Sequence, residues 1–250
     1  MKNMVKLLLI IMTFYCISSR LIAGQYDLPE DLYHVEISDA EVNSIQALFP
    51  EYGGINPAFI NSTTDPNLHF TGTGDLSVTY IDEGAGYKNK FGYFTFDSNN
   101  NITGEYTIFD NASGLGKGGS LTAGDSLSLG TFNEGDNVGF WLQANGYWNP
   151  NGHTYYTLDE LNPDGLRHIA IVGDNGYINI GIEDLYNLGD QDYNDIIFRM
   201  DITPTSAINT ANIPGNPAPA PIATALICLF VFGCTYFKKR TVKYKKVKNN

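Results

Sequence analysis

From Leu76 onward, apolar and polar residues alternate with a period of two, the spacing that puts successive side chains on opposite faces of a strand. Leu76, Val78 and Tyr80 alternate with polar neighbours, and Val138, Phe140, Leu142 and Ala144 do so beside Gly139, Trp141 and Gln143. The same pattern predicts strands over 91–96, 105–109, 126–132, 168–172, 177–182 and 195–202, the last with Ile196, Phe198 and Met200 on one face. Turn formers separate them: Asn-Gly at 145–146 and 175–176, and Gly-Asp at 124–125 and 135–136. One earlier stretch has the helical period instead. Ser38 and Glu41 have capping-box spacing, Val42, Ile45, Leu48 and Phe49 fall on one face, and Pro50 helps to end the run. Many short strands after one short helix predict an all-β fold, a jelly-roll-like β-sandwich.

Both ends break this pattern. Residues 1–23 read as a signal peptide, with Lys2 and Lys6 before an apolar core and Leu21-Ile22-Ala23 as the cleavage site. Residues 24–61 form an N-terminal helical segment expected to pack on the main domain at 62–204. A Pro-rich linker follows at 205–221, then an uncharged apolar run at 222–237, close to the length that spans a bilayer. The tail at 238–250 holds seven Lys and Arg and is expected to stay cytoplasmic, with 222–237 a transmembrane or sorting helix. This tripartite end resembles the PEP-CTERM class of bacterial sorting signals, in which a membrane protease removes the tail during export. Here Pro-Ala-Pro-Ala-Pro stands in place of Pro-Glu-Pro, and the basic tail is long, so simple membrane anchoring stays open.

Charge sharpens the picture. All 27 Asp and Glu lie between Asp27 and Asp201, and Lys88, Lys90, Lys117, Arg167 and Arg199 are the only Lys and Arg in that span. Such a surface argues against nucleic acid, whose phosphates need a basic face, and favours divalent cations. The 3 cysteines, Cys16, Cys228 and Cys234, all sit in the terminal apolar runs. The exported domain therefore has no disulfide or thiolate metal site, and bound calcium is an alternative staple.

The densest chemistry lies between Gly181 and Asp201. Glu183, Asp184, Asp190, Asp192 and Asp195 are carboxylates, and Asn194 adds a side-chain amide. Carboxylates this close repel one another unless a cation sits among them. An oxygen-only set suits calcium, which accepts six to eight ligands at flexible geometry. Asp190, Asp192, Asn194 and Asp201 match EF-hand positions, but Asp195 replaces the glycine and no flanking helices are predicted, so the loop is no EF-hand. The alternative is a solvated acidic turn.

Other motifs carry less. Gly114-Leu-Gly-Lys-Gly-Gly119 matches G-x-G-x-x-G, but Ser120-Leu-Thr-Ala-Gly-Asp125 opens no helix, so it reads as a flexible loop. The histidines at 34, 69, 153 and 168 have no zinc-site spacing. Neighbouring carboxylates such as Asp159 and Glu160 occur in any acidic chain, and no catalytic residue is assigned. Trp141, Tyr147 and Trp148, beside Tyr155 and Tyr156, cluster around two turns. Aromatics there suit either sugar stacking or ordinary packing.

The terminal motif also resembles a bacterial domain family of unknown function, numbered forty-one fourteen. That family ends in G-F-E-D-L, a short variable stretch, then D-x-D-[YF]-N-D-[VI]-[VI]-F. Here the counterparts are Gly181-Ile-Glu-Asp-Leu185 and Asp190-Gln-Asp-Tyr-Asn-Asp-Ile-Ile-Phe198, with Ile182 the one substitution. Glu83-Gly-Ala-Gly-Tyr-Lys-Asn89, Phe91-Gly-Tyr-Phe94 and Gly139-Phe-Trp-Leu-Gln-Ala-Asn-Gly146 look similar, so the resemblance covers most of 76–202. It implies an exported calcium-associated β-sandwich and no known reaction. The expectation is a calcium-binding protein of the cell surface or extracellular matrix with a structural or adhesive role, whose partners are polysaccharide or surface proteins. A glycan-binding module using Trp141 and Trp148, and a polysaccharide-acting enzyme, are the alternatives.

Overall fold

The computed structural model describes residues 28–51 and 54–215. The chain runs through β1 (Tyr33–His34), α1 (Asp39–Gln46), β2 (Leu68–His69), β3 (Gly74–Asp82), β4 (Lys90–Phe96) and β5 (Ile102–Phe109). It continues through β6 (Asp125–Phe132), β7 (Asn137–Gln143), β8 (Thr154–Tyr156), β9 (Ile169–Asp174), β10 (Tyr177–Ile182) and β11 (Ile196–Thr203). One sheet has six strands in the order β1-β6-β3-β11-β10-β9. The other has the path β2-β7-β4-β5, with β8 also paired to β7. Every strand pairing is antiparallel. All eight stretches of period two are strands, with ends shifted by three residues or fewer. The strands that periodicity missed, β1, β2 and β8, are two or three residues long and too short to show a period.

The two sheets pack face to face as a β-sandwich. Leu76, Val78, Ile180, Phe198 and Met200 from the first sheet share one core with Phe91, Phe109, Val138, Phe140 and Leu142 from the second. Phe198 sits at its centre. Its ring stacks 4.1 Å from Phe91 and 5.8 Å from Phe109 and meets Tyr80 edge-on at 5.9 Å.

Helix α1 covers the outer face of the six-stranded sheet. Ser38 caps it, its Oγ accepting from Glu41 N at 3.3 Å. Ile45, Phe49 and Phe59 bury against Ile81, Ala170, Val172 and Ile197. Gly181 leaves room for this contact, because a Cβ there would stand 2.4 Å from Phe49 Cδ1. Arg199 Nη1 donates to Glu41 at 2.5 Å and its guanidinium lies 4.2 Å over the Tyr177 ring, pinning the helix to β11.

Residues 205–215, expected as the start of a linker, pack on the domain instead. Ala207, Ile208 and Ile213 are buried in the main core, Ile208 pairs with Phe70, and Gly173 N donates to Pro214 O at 2.8 Å. Apolar Ala207, Ile208 and Ile213 are what distinguish this stretch from the Pro-rich run after it. No helix among the described residues is long and apolar enough to cross a membrane. The expected signal peptide at 1–23, helix at 222–237 and tail at 238–250 lie outside the described residues.

Candidate metal centre

The register of the last hairpin places the acidic loop. Gly181 pairs with Ile197, so Glu183 and Asp184, just past β10, come opposite Asp195, just before β11. Asp184 N donates to Asp195 Oδ2 at 2.8 Å. The intervening chain coils back through four non-glycine residues with left-handed φ: Asn187 at 63°, Leu188 at 62°, Gln191 at 63° and Tyr193 at 58°. Such conformations cost free energy and persist where surrounding contacts over-determine them. Gly189 presses on Glu183, and a Cβ there would lie 2.6 Å from Glu183 Oε1.

The result is two overlapping carboxylate sets. Glu183, Asp184 and Asp195 each offer an oxygen within 4.8 Å of the others, and so do Glu183, Asp190 and Asp192. Glu183 belongs to both. It is fully buried beside the Asp195 carboxyl, its Oε1 accepts from Leu185 N at 3.4 Å, and its Oε2 has no N–H or hydroxyl donor among the described residues. A buried carboxylate oxygen without a donor is costly unless it is protonated or faces a cation.

The electrostatics agree. Burial lifts the Asp195 carboxyl to about 9, with the charges of Asp184, Glu183 and Asp192 adding to the effect. Burial likewise lifts Glu183 to about 7, with Asp190 and Asp184 contributing. Burial also raises Asp184, against a lowering hydrogen bond from Asn89. Asp192 is raised by burial and by nearby Asp190 and Glu51. Four carboxyls held against ionisation in one place form a site that a divalent cation would relieve.

Buried polar residues from other loops hold this site. Connections 83–89, 110–124, 144–153 and 157–168 all meet 183–195 at one end of the sandwich, as the antiparallel registers require. Asn89 links three of them. Its Nδ2 donates to Asp184 Oδ2 at 2.7 Å, its Oδ1 accepts from Asn145 N at 2.8 Å, and its carbonyl accepts from Ala112 N at 2.8 Å. His168 brackets Glu183, with Nδ1 2.8 Å from the Glu183 carbonyl and Nε2 3.0 Å from Asp164 Oδ2. Tyr193, fully buried, donates its hydroxyl to Arg167 O at 2.7 Å. Sequence reading missed Asn89 and His168, since nothing local marks a residue whose partner is 95 positions away.

One expectation is corrected by this geometry, and another residue gains partners. Asn194 stays beside the carboxylates. Its Nδ2 donates to Glu51 at 2.8 Å, its backbone N to Asp192 Oδ1 at 3.1 Å, and its carbonyl accepts from Gly84 N at 3.0 Å. It anchors the loop next to the two sets. Trp141 is only 6 % exposed and packs with Phe94, Phe96 and Leu158 on the outer face of β7, over the bare backbone of Gly92. It therefore offers no stacking face. Trp148 is 67 % exposed, and its ring meets Tyr147 edge-on at 4.6 Å. The two tryptophans form no shared surface.

The glycine-rich run is tied down rather than flexible. Gly114 N donates to buried Glu83 Oε2 at 2.7 Å, Leu115 N to Leu121 O at 2.7 Å and Gly119 N to Gly114 O at 3.2 Å. Asp159, one of the adjacent carboxylates considered for catalysis, is held by Arg167 Nε at 2.9 Å and Nη2 at 2.8 Å.

Residues 132–203 match the family model described as Domain of unknown function (DUF4114). The match runs from the end of β6 through β11 and contains all five loop carboxylates, while the similar-looking pieces at 83–89 and 91–94 lie outside it. No curated protein and no solved structure matches the chain.

Proposed function

We propose that this chain is a calcium-binding β-sandwich protein exported to the cell surface or extracellular matrix, where the ion fixes the acidic loop to the last strand. One observation carries the reading: the fully buried Glu183, shared by two carboxylate sets, keeps an oxygen without an N–H or hydroxyl donor among the described residues. Glu183, Asp184 and Asp195 would hold one ion, and Asp190 and Asp192 would extend the set to a second. Hard oxygen donors without nitrogen or sulfur favour calcium over zinc, and an irregular set favours it over the strictly octahedral magnesium ion.

Export rests on the leader-like start at 1–23 and on the Pro-rich, apolar and basic end, which resembles a PEP-CTERM signal. The lack of cysteine in the body between them makes an ion a sensible staple. The family assignment across the whole sandwich and its jelly-roll-like character belong to this same reading. So does a structural or adhesive role, which involves no reaction.

Calorimetric titration of the chain tests the site. Calcium should bind at one or two ions per chain, with magnesium weaker by roughly tenfold or more. Glu183→Gln should remove calcium binding. If that variant binds calcium as tightly as the parent, the reading is wrong.

A further inference from the structure

A cleft of about 390 Å³ opens beside the carboxylate sets, lined among others by Tyr87, Asn145, Asn149, His153, Tyr155 and Tyr186. Asp184 lines it too, and so belongs both to this cleft and to the candidate metal centre. Its walls combine flat rings with amides. Tyr186 is 50 % exposed with its ring 5.3 Å from that of His153, and Tyr87 is 41 % exposed. Tyr155 is wholly buried and lines the cleft, and its ring stacks 3.6 Å from the ring of His168. Its hydroxyl has no hydrogen-bond partner among the described residues.

Among the described residues that line the cleft there is no Lys or Arg, so it offers neither a guanidinium fork nor an ammonium to a phosphate, sulfate or carboxylate. A mainly apolar ligand would strand the amides. What remains is a neutral ligand with one apolar face for aromatic rings and hydroxyls at its edges. That is the chemistry of a sugar ring.

We infer that this cleft binds a neutral carbohydrate, with Tyr87 and Tyr186 as ring platforms and Asn145 and Asn149 meeting sugar hydroxyls. The inference rests on the calcium reading, because Asp184 is shared. A metal ion that fixes Asp184 and the loop carrying Tyr186 also fixes one wall of the cleft. Binding is therefore calcium-dependent. The platforms differ from the Trp141 and Trp148 surface considered from the sequence, since Trp141 is buried and neither tryptophan lines the cleft.

The test uses the full chain on immobilised neutral oligosaccharides of glucose, mannose, galactose and N-acetylglucosamine, with polygalacturonate as the anionic arm. Each is probed with calcium and with chelator, and melting temperatures are measured in parallel. At least one neutral oligosaccharide should bind in calcium and be lost with chelator. Tyr87→Ala and Tyr186→Ala should each weaken binding by roughly tenfold. Unchanged melting temperature and calcium response in the two alanine variants would separate lost recognition from lost folding. No neutral oligosaccharide bound while calcium still raises the melting temperature would overturn the sugar inference and leave the metal reading intact. Absence of both responses would overturn both. Preference for polygalacturonate, binding indifferent to chelator, or loss in Trp148→Ala but not in the tyrosine variants would each overturn the assignment to this cleft.

Discussion

Adding saturating calcium to the metal-free chain should raise its melting temperature by roughly 10 °C at pH 8, and magnesium at the same concentration should do much less. An ion present at about a thousandfold its dissociation constant stabilises the folded state by about 4 kcal/mol, and a domain of this size shifts by about 2–4 °C for each kcal/mol. The effect should depend on pH in a direction unusual for carboxylates. The ordinary values of 3.8 for Asp195 and 4.5 for Glu183 become about 9 and about 7 in the fold. Without metal, the folded chain thus holds protons that the unfolded chain releases. The stability this contributes is complete below pH 4 and is lost as pH rises through about 7 and then about 9. Calcium would compete with those same protons, so its increment should be small at pH 5 and grow toward pH 9. Melting curves in calcium and in chelator across this range check both points. A chelated chain that grows more stable from pH 5 to pH 9 would count against the site.

Phe198→Ala should destabilise the sandwich by about 3–5 kcal/mol, read from urea denaturation. Its ring is fully buried and touches Phe91 and Phe109 on the opposite sheet and Tyr80 on the next strand. No small movement of one sheet fills a gap that both sheets line. The change also tests how the loop and the core are coupled, since Phe198 stands three residues after Asp195 on the strand that the ion would fix. Calcium should recover part of the lost stability in this variant, because it would bind the folded state alone. A loss under 1 kcal/mol would mean that the aromatic stack is not the keystone of the core.

The outcome at particular residues shows what a sequence can carry. Val138, Phe140 and Leu142 were legible as one strand face because strand geometry repeats every two residues whatever surrounds it. The turn between β9 and β10 was legible as Asn-Gly, and Asn175 and Gly176 take φ of 51° and 85° there. The loop carboxylates were legible through their density, and the structure brings Glu183, Asp184, Asp190, Asp192 and Asp195 into two sets. Trp141 and Trp148 could not be told apart, because whether an outward side chain is covered depends on the chain at 156–162 passing over it. The partners of Asn194 were only half legible: Asp192 lies two residues away, but Glu51 and Gly84 reach it only in the fold. Tyr155 was legible as one of an aromatic cluster and His168 as one of four scattered histidines, but nothing local shows that their rings stack. They meet because β8 pairs with β7 while β9 belongs to the other sheet.

The most direct measurement is diffraction from crystals of the chain grown in calcium, collected at a long wavelength where calcium scatters anomalously. An anomalous peak in contact with Glu183 and at least two of Asp184, Asp190, Asp192 and Asp195 is the expected result, with no such peak in Glu183→Gln. Well-ordered loop density with Glu183 protonated or bonded to water, and no peak at saturating calcium, would contradict a metal centre here.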